Sequence, residues 1–66
     1  MIVSVNGEPR SLDPGSAVQA VLSTLGARAT GTAVAVNGAV VPRSAWTSRE
    51  LADGDSVEVL TAVPGG

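Results

Sequence analysis

Residues 16–26 read Ser16-Ala17-Val18-Gln19-Ala20-Val21-Leu22-Ser23-Thr24-Leu25-Gly26. Val18, Val21, Leu22 and Leu25 fall at i, i+3, i+4 and i+7, which places them on one stripe of a helix, with Gln19, Ser23 and Thr24 off it. Ser16 followed three residues later by Gln19 has the form of a capping box. Gly26 stands where a left-handed residue closes a helix. The spacing therefore predicts one amphipathic helix over about 17–25.

Strand signals lie on both sides of this helix. Met1-Ile2-Val3-Ser4-Val5 reads as a strand, and Asn6-Gly7 is a strong hairpin signal, because a type I′ turn needs φ > 0 at both central positions. Glu8 to Leu12 returns as a second strand. Pro9 within it lacks an N–H, which assigns that strand to a sheet edge. Asp13-Pro14-Gly15 turns the chain into the helix. After a linker from Ala27 to Gly31, Thr32 to Val36 forms a third strand. Asn37-Gly38 is a second hairpin turn, and Ala39 to Val41 forms a short fourth strand stopped by Pro42. Arg43 to Glu50 has no clean period and leaves room for a turn of helix. Asp53-Gly54-Asp55 is a tight turn, and Ser56 to Leu60 alternates apolar and polar as a half-buried strand does. One short helix covering one face of a twisted sheet gives an α+β fold in two layers. The domain is expected over 1–61, with 62–66 a flexible tail. The repeated Val-Asn-Gly at 5–7 and 36–38 marks two hairpins.

Composition narrows the chemistry. The chain has 66 residues, no Cys, His or Tyr, and four Lys or Arg in all, each of them an arginine: Arg10, Arg28, Arg43 and Arg49. A domain of this size buries only about 60 % of the surface its unfolded chain exposes, so its stability margin is thin. There is no cysteine to staple it and no Cys/His set for zinc. Four scattered arginines against a net charge of −2 form no basic patch, and one tryptophan offers no stacking platform, so nucleic-acid binding is not expected. No apolar stretch approaches the ~20 residues needed to span a bilayer, and no secretion signal opens the chain. A cytoplasmic location is expected.

With these side chains missing, the distinctive reactive group is the α-carboxylate of Gly66, carried on Ala62-Val63-Pro64-Gly65. Two residues without Cβ make the thinnest peptide there is, suited to threading a narrow active-site channel. Trp46 reads as a packing centre under the loop after Pro42, with a partner anchor as the alternative. Arg43 and Arg49 read as solvated charges, with contact to an acidic groove as the alternative. Asp53 and Asp55 read as turn formers and not as a metal pair.

The ordered set of Val5-Asn6-Gly7-Glu8, Val18-Gln19-Ala20-Val21-Leu22, Ala35-Val36-Asn37-Gly38, Val41-Pro42-Arg43, Trp46, Leu51-Ala52-Asp53-Gly54-Asp55 and Gly65-Gly66 resembles the ThiS family of sulfur carriers in thiamin biosynthesis. The resemblance covers essentially the whole chain. It implies a β-grasp (ubiquitin-like) fold, with a mixed sheet of about five strands packed on one helix. It implies that Gly66 is adenylated and then converted to a thiocarboxylate that gives up sulfur for thiazole formation, with residues 62–65 inserted into partner active sites.

The implied partners are a ThiF-type adenylating enzyme, a thiazole synthase of the ThiG type, and a cysteine desulfurase or sulfur relay. The chain is then a co-substrate and not an enzyme. It binds no cofactor itself. ATP belongs to the activating partner, since a P-loop needs a lysine that this chain lacks. The lack of lysine also rules out lysine-linked chains of this protein. Pro64 departs from the family pattern: it fixes φ and removes a donor, so a partner that grips the tail by strand pairing loses one hydrogen bond there. A MoaD-like or other thiocarboxylate carrier, serving molybdopterin or cysteine synthesis, and a non-reactive β-grasp interaction module are the alternatives.

Overall fold

The computed structural model describes residues 1–28 and 30–61. Among these, the elements in chain order are β1 (Ile2–Val5), β2 (Glu8–Ser11), α1 (Val18–Leu25), β3 (Thr32–Val36), β4 (Ala39–Val41), a 3₁₀ turn (Arg43–Ala45) and β5 (Ser56–Thr61). The strands form one sheet in the order β2-β1-β5-β3-β4. Three of the four neighbouring pairs are antiparallel, and β1 lies parallel to β5. This is the mixed sheet on one helix expected from the sequence. The predicted residues 62–66 lie outside the described residues.

Both Asn-Gly pairs make the turns their chemistry favours. Asn6 and Asn37 each have φ 51°, followed by Gly7 at 85° and Gly38 at 83°. Asparagine tolerates the left-handed region and glycine occupies it freely, so the mirror-image turn matches the strand twist without much strain. The β2 strand is at the sheet edge, where Pro9 costs no ladder bond.

The helix follows its predicted stripe but not its predicted start. Val18, Val21 and Leu22 are buried, while Leu25 at the end is 37 % exposed. Gly26, at φ 64°, closes the helix: its N–H donates to Ser23 O and that of Ala27 to Leu22 O, at 3.2 and 3.0 Å. These two bonds form a Schellman motif. At the N-terminus the capping box of Ser16 and Gln19 does not form. Ala17 is the cap residue and makes no side-chain cap bond, and the Ser16 hydroxyl donates to Asp13 O at 2.7 Å.

The first-turn amides are satisfied from across the molecule. Val18 N–H donates to Arg49 O and Gln19 N–H to Trp46 O, both at 3.0 Å, and Leu51 N–H donates back to Ser16 O at 2.8 Å. A single bridge between Ala17 and Glu50 completes the junction. The orphan amides of the helix start are thus paired by backbone carbonyls, which leaves the serine free to brace the preceding turn.

The core lies between helix and sheet. Val3, Val5, Val34, Val36, Val41, Val57 and Val59 from the strands meet Val18, Val21 and Leu22, with Trp46 and Leu51 closing one end. Trp46 is 3 % exposed and its Nε1–H donates to Val41 O at 3.0 Å. It is therefore a packing centre whose polar atom is also satisfied, as the sequence suggested. The opposite face of the sheet carries no helix. There Ala33, Ala35, Val40 and Leu60 line up through the cross-strand pairs Ala33↔Leu60 and Ala35↔Val40.

Candidate functional site

The sequence-based expectation puts the reacting group at Gly66, carried by Ala62, Val63, Pro64 and Gly65; these five residues lie outside the described residues. The described part of the site is therefore the platform from which they extend, and that platform is β5. It is the middle strand of the sheet, paired with β1 on one side and β3 on the other. Pairing with β3 covers all of β5 but its first residue, from Val36↔Val57 to Thr32↔Thr61. Pairing with β1 is short, covering Ser4↔Ser56 and Val5↔Val57, because β1 turns away at Asn6.

Asn6 replaces the missing strand. Its backbone N–H donates to Val57 O at 2.9 Å. Its carboxamide then pairs with Val59 as a peptide would: Nδ2–H donates to Val59 O at 3.1 Å, and Oδ1 accepts from Val59 N–H at 2.9 Å. Asn37 does the same at the start of β5, from the β3 side. Its N–H donates to Ser56 O at 2.8 Å, and its Oδ1 accepts from Ser56 N–H at 2.9 Å. The Nδ2 of Asn37 donates to Asp55 Oδ1 at 3.0 Å. The two Val-Asn-Gly triplets are thus two turns that also grip one strand. The repeat of the triplet was the signal for this; the shared target was not readable, because each contact spans a long sequence separation.

The Asp53-Gly54-Asp55 turn is held by the same logic. Asp53 Oδ1 accepts from Ile2 N–H at 2.7 Å, and Gly54 N–H donates to Ile2 O at 2.8 Å. Asp55 Oδ2 accepts from Ala52 N–H at 2.8 Å. That backbone bond and then the Asn37 amide hold the Asp55 carboxyl below the ordinary carboxylate value, against an opposing effect of burial and with a lesser contribution from the charge of Arg49. Both aspartates are turn formers, as the sequence indicated, and both carboxylates are used in hydrogen bonds. Among the described residues no group of three His, Cys, Asp or Glu could hold a metal ion, and no helix is long and apolar enough to cross a membrane.

A cleft of about 840 Å³ opens beside the end of β5, between that strand and the loop after α1. Asn6, Val59, Thr61 and Thr32 line it on the sheet side, and Leu25 and Arg28 on the other. It holds hydroxyls and one guanidinium, with no acid–base pair to run a reaction. Arg43 is exposed, and Arg49 donates from Nη1 to Glu50 O while lying near Asp55.

Comparison with known proteins bears on what this platform serves. The ThiS family model matches residues 3–66. The sulfur carrier protein ThiS of Escherichia coli is 30 % identical over 66 residues, covering 100 % of both chains. A thiazole synthase of Paramagnetospirillum magneticum is 33 % identical over 66 residues; all of this chain is covered, and it spans 20 % of that relative's length. The crystal structure of the thiamine biosynthesis protein ThiS from Geobacter metallireducens superposes with a TM-score of 0.78 at 38 % identity, with 100 % of each chain covered. Fold, strand order and full-length similarity agree, and the chain belongs to the ThiS family.

Proposed function

We propose that this protein is a sulfur carrier of thiamin biosynthesis, and that the α-carboxylate of Gly66 bears the sulfur. The observation that carries this reading is similarity to a ThiS sulfur carrier over the whole of both chains, through residue 66. The architecture supports it: the strand that leads into residues 62–66 is the middle strand of the sheet.

The chemistry follows from the group. A carboxylate is a poor electrophile, since its charge repels nucleophiles and its oxygen leaves badly. Attack of the Gly66 carboxylate on the α-phosphorus of ATP releases pyrophosphate and forms an acyl-adenylate. A persulfide sulfur on the donor then adds to the carbonyl carbon and AMP leaves, giving an acyl disulfide; a second thiol of the partner attacks the donor's sulfur, forms a disulfide with it, and releases the thiocarboxylate. None of these steps draws on a side chain of this protein. A ThiF-type adenylating enzyme supplies nucleotide and Mg²⁺, and a cysteine desulfurase or sulfur relay supplies sulfur. An activation step that consumes ATP supports a cytoplasmic location. Similarity to part of a thiazole synthase chain supports a ThiG-type synthase as the acceptor. The carrier is regenerated with each turnover, as a co-substrate.

The test is the intact mass of the protein before and after incubation with a ThiF-type enzyme, Mg-ATP and a sulfur donor. A gain equal to exchange of one oxygen for sulfur, mapped to Gly66, is expected. Removal of Gly65-Gly66 should abolish the gain and leave thermal unfolding unchanged. An unchanged mass and no adenylate, with an activating enzyme proven competent on another carrier, would leave a passive β-grasp module as the reading.

A further inference from the structure

We propose that Asn6 is a positioning residue for the reaction of the tail, and that its carboxamide fixes the direction in which β5 delivers residues 62–66. The inference rests on the carrier reading above and deepens it. Beyond Val57 the β1 side of β5 has no strand beside it, because β1 has turned into its hairpin. Val57 O and Val59 N–H and O all point to that side, where Asn6 meets them. By the alternation of a strand, the peptide of Thr61 faces the same side, where the cleft opens. Among the described residues, Asn6 is thus the last group that grips β5 from this flank.

The consequence for catalysis is geometric. Five residues separate Thr61 from the Gly66 carboxylate, a span of at most ~18 Å when extended. A swing of the end of β5 therefore shifts the point from which those five residues must reach the nucleotide. The body of the carrier can dock equally well in either case. Loss of the grip should leave KM for the carrier alone and lower the fraction of docked complexes with the carboxylate at the nucleotide, which lowers kcat.

Asn6→Gly tests this cleanly. Glycine keeps the left-handed turn without strain and removes only the carboxamide. The paired control is Asn37→Gly, which removes the equivalent carboxamide in the equivalent turn but at the start of the strand. Amide hydrogen exchange is read at Val59, Val21 and Val34, and ATP–pyrophosphate exchange with a ThiF-type enzyme gives kcat and KM for each carrier.

For Asn6→Gly, exchange at Val59 should rise about tenfold or more with Val21 and Val34 unchanged, a local opening. The kcat should fall roughly tenfold with KM within about twofold, as expected of a misplaced reacting group. Asn37→Gly should keep kcat within about twofold of the parent. The proposal is overturned if Val59 opens and kcat does not move, or if both variants lose kcat equally. If Asn6→Gly opens globally, Asn6→Asp retains the turn and the acceptor for Val59 N–H, and should show the same kcat effect at smaller size. A parent chain that is not a substrate at all sinks the carrier reading; a good parent substrate with an unaffected Asn6→Gly sinks only the positioning role.

Discussion

Val40 and Val41 are neighbours on β4, and Val59 and Leu60 are neighbours on β5, yet each pair straddles the sheet. Val41 and Val59 are each 7 % exposed and belong to the core; Val40 is 78 % and Leu60 69 % exposed. Residue type does not distinguish the faces, since both carry aliphatic side chains. The helix, the 3₁₀ turn and the segment to Leu51 cover one face only. The fold therefore draws its stability from a single layer of contacts, and the other face contributes little to folding. For so small a domain, a change on the covered side is a large fraction of the total stability.

The sharpest way to break that asymmetry is Trp46→Ala. The indole is the one aromatic group in the core, and its N–H satisfies Val41 O. Truncation should cost about 3–5 kcal/mol, enough to leave much of the population unfolded. A cost below about 1 kcal/mol in urea unfolding would mean that the end of the core collapses around the void. Next comes Leu22→Ala, at the centre of the helix stripe and fully buried. The expected cost is about 2–5 kcal/mol. Full stability in this variant would overturn the placement of the stripe itself.

The sequence made this layer legible because its signals are local. The stripe from Val18 to Leu25, the two Asn-Gly turns, the edge position of the Pro9 strand and the role of Trp46 all follow from a few neighbouring residues. What did not follow were partners far along the chain. Ser16 and Gln19 have the form of a cap, but carbonyls of Trp46 and Arg49 reach the helix start first. Asn6 and Asn37 have the form of turn residues, and the turn explains them fully until Val59 and Ser56 are placed beside them. The proposed reacting end is read only as chemistry, from a carboxylate on two glycines in a chain without Cys, His, Lys or Tyr. Its platform needed the strand order to be seen.

A smaller effect should come from Asp55, at the junction between the turn and the start of β5. Its folded pKa is held below the ordinary value of about 3.9, chiefly by the Ala52 amide and then by Asn37. A depressed carboxylate contributes stability above the unfolded pKa, and that contribution is lost as pH falls through the folded pKa. Thermal unfolding of the parent should therefore weaken below about pH 4. Asp55→Asn should lower stability modestly at neutral pH and flatten the acid limb. A limb of unchanged steepness in Asp55→Asn would assign the acid sensitivity to other carboxylates.

The smallest effects are expected on the uncovered face, where Val40→Thr and Leu60→Thr keep strand propensity and remove only apolar surface. Each should change unfolding free energy by no more than about 0.5 kcal/mol, as surface substitutions usually do. The pair is informative because Val41→Thr and Val59→Thr, one position away, place an unpartnered hydroxyl in the core and should cost about 1–3 kcal/mol. Val40→Thr and Val41→Thr thus compare the two faces at fixed chemistry and nearly fixed position, and the β5 pair repeats the comparison with an aliphatic residue of different size on the outer face. Equal losses across the four would mean that the outer face is also buried in solution. Repeating the measurement over a range of protein concentration would then show whether a second copy of the chain covers it, since only an intermolecular contact weakens on dilution.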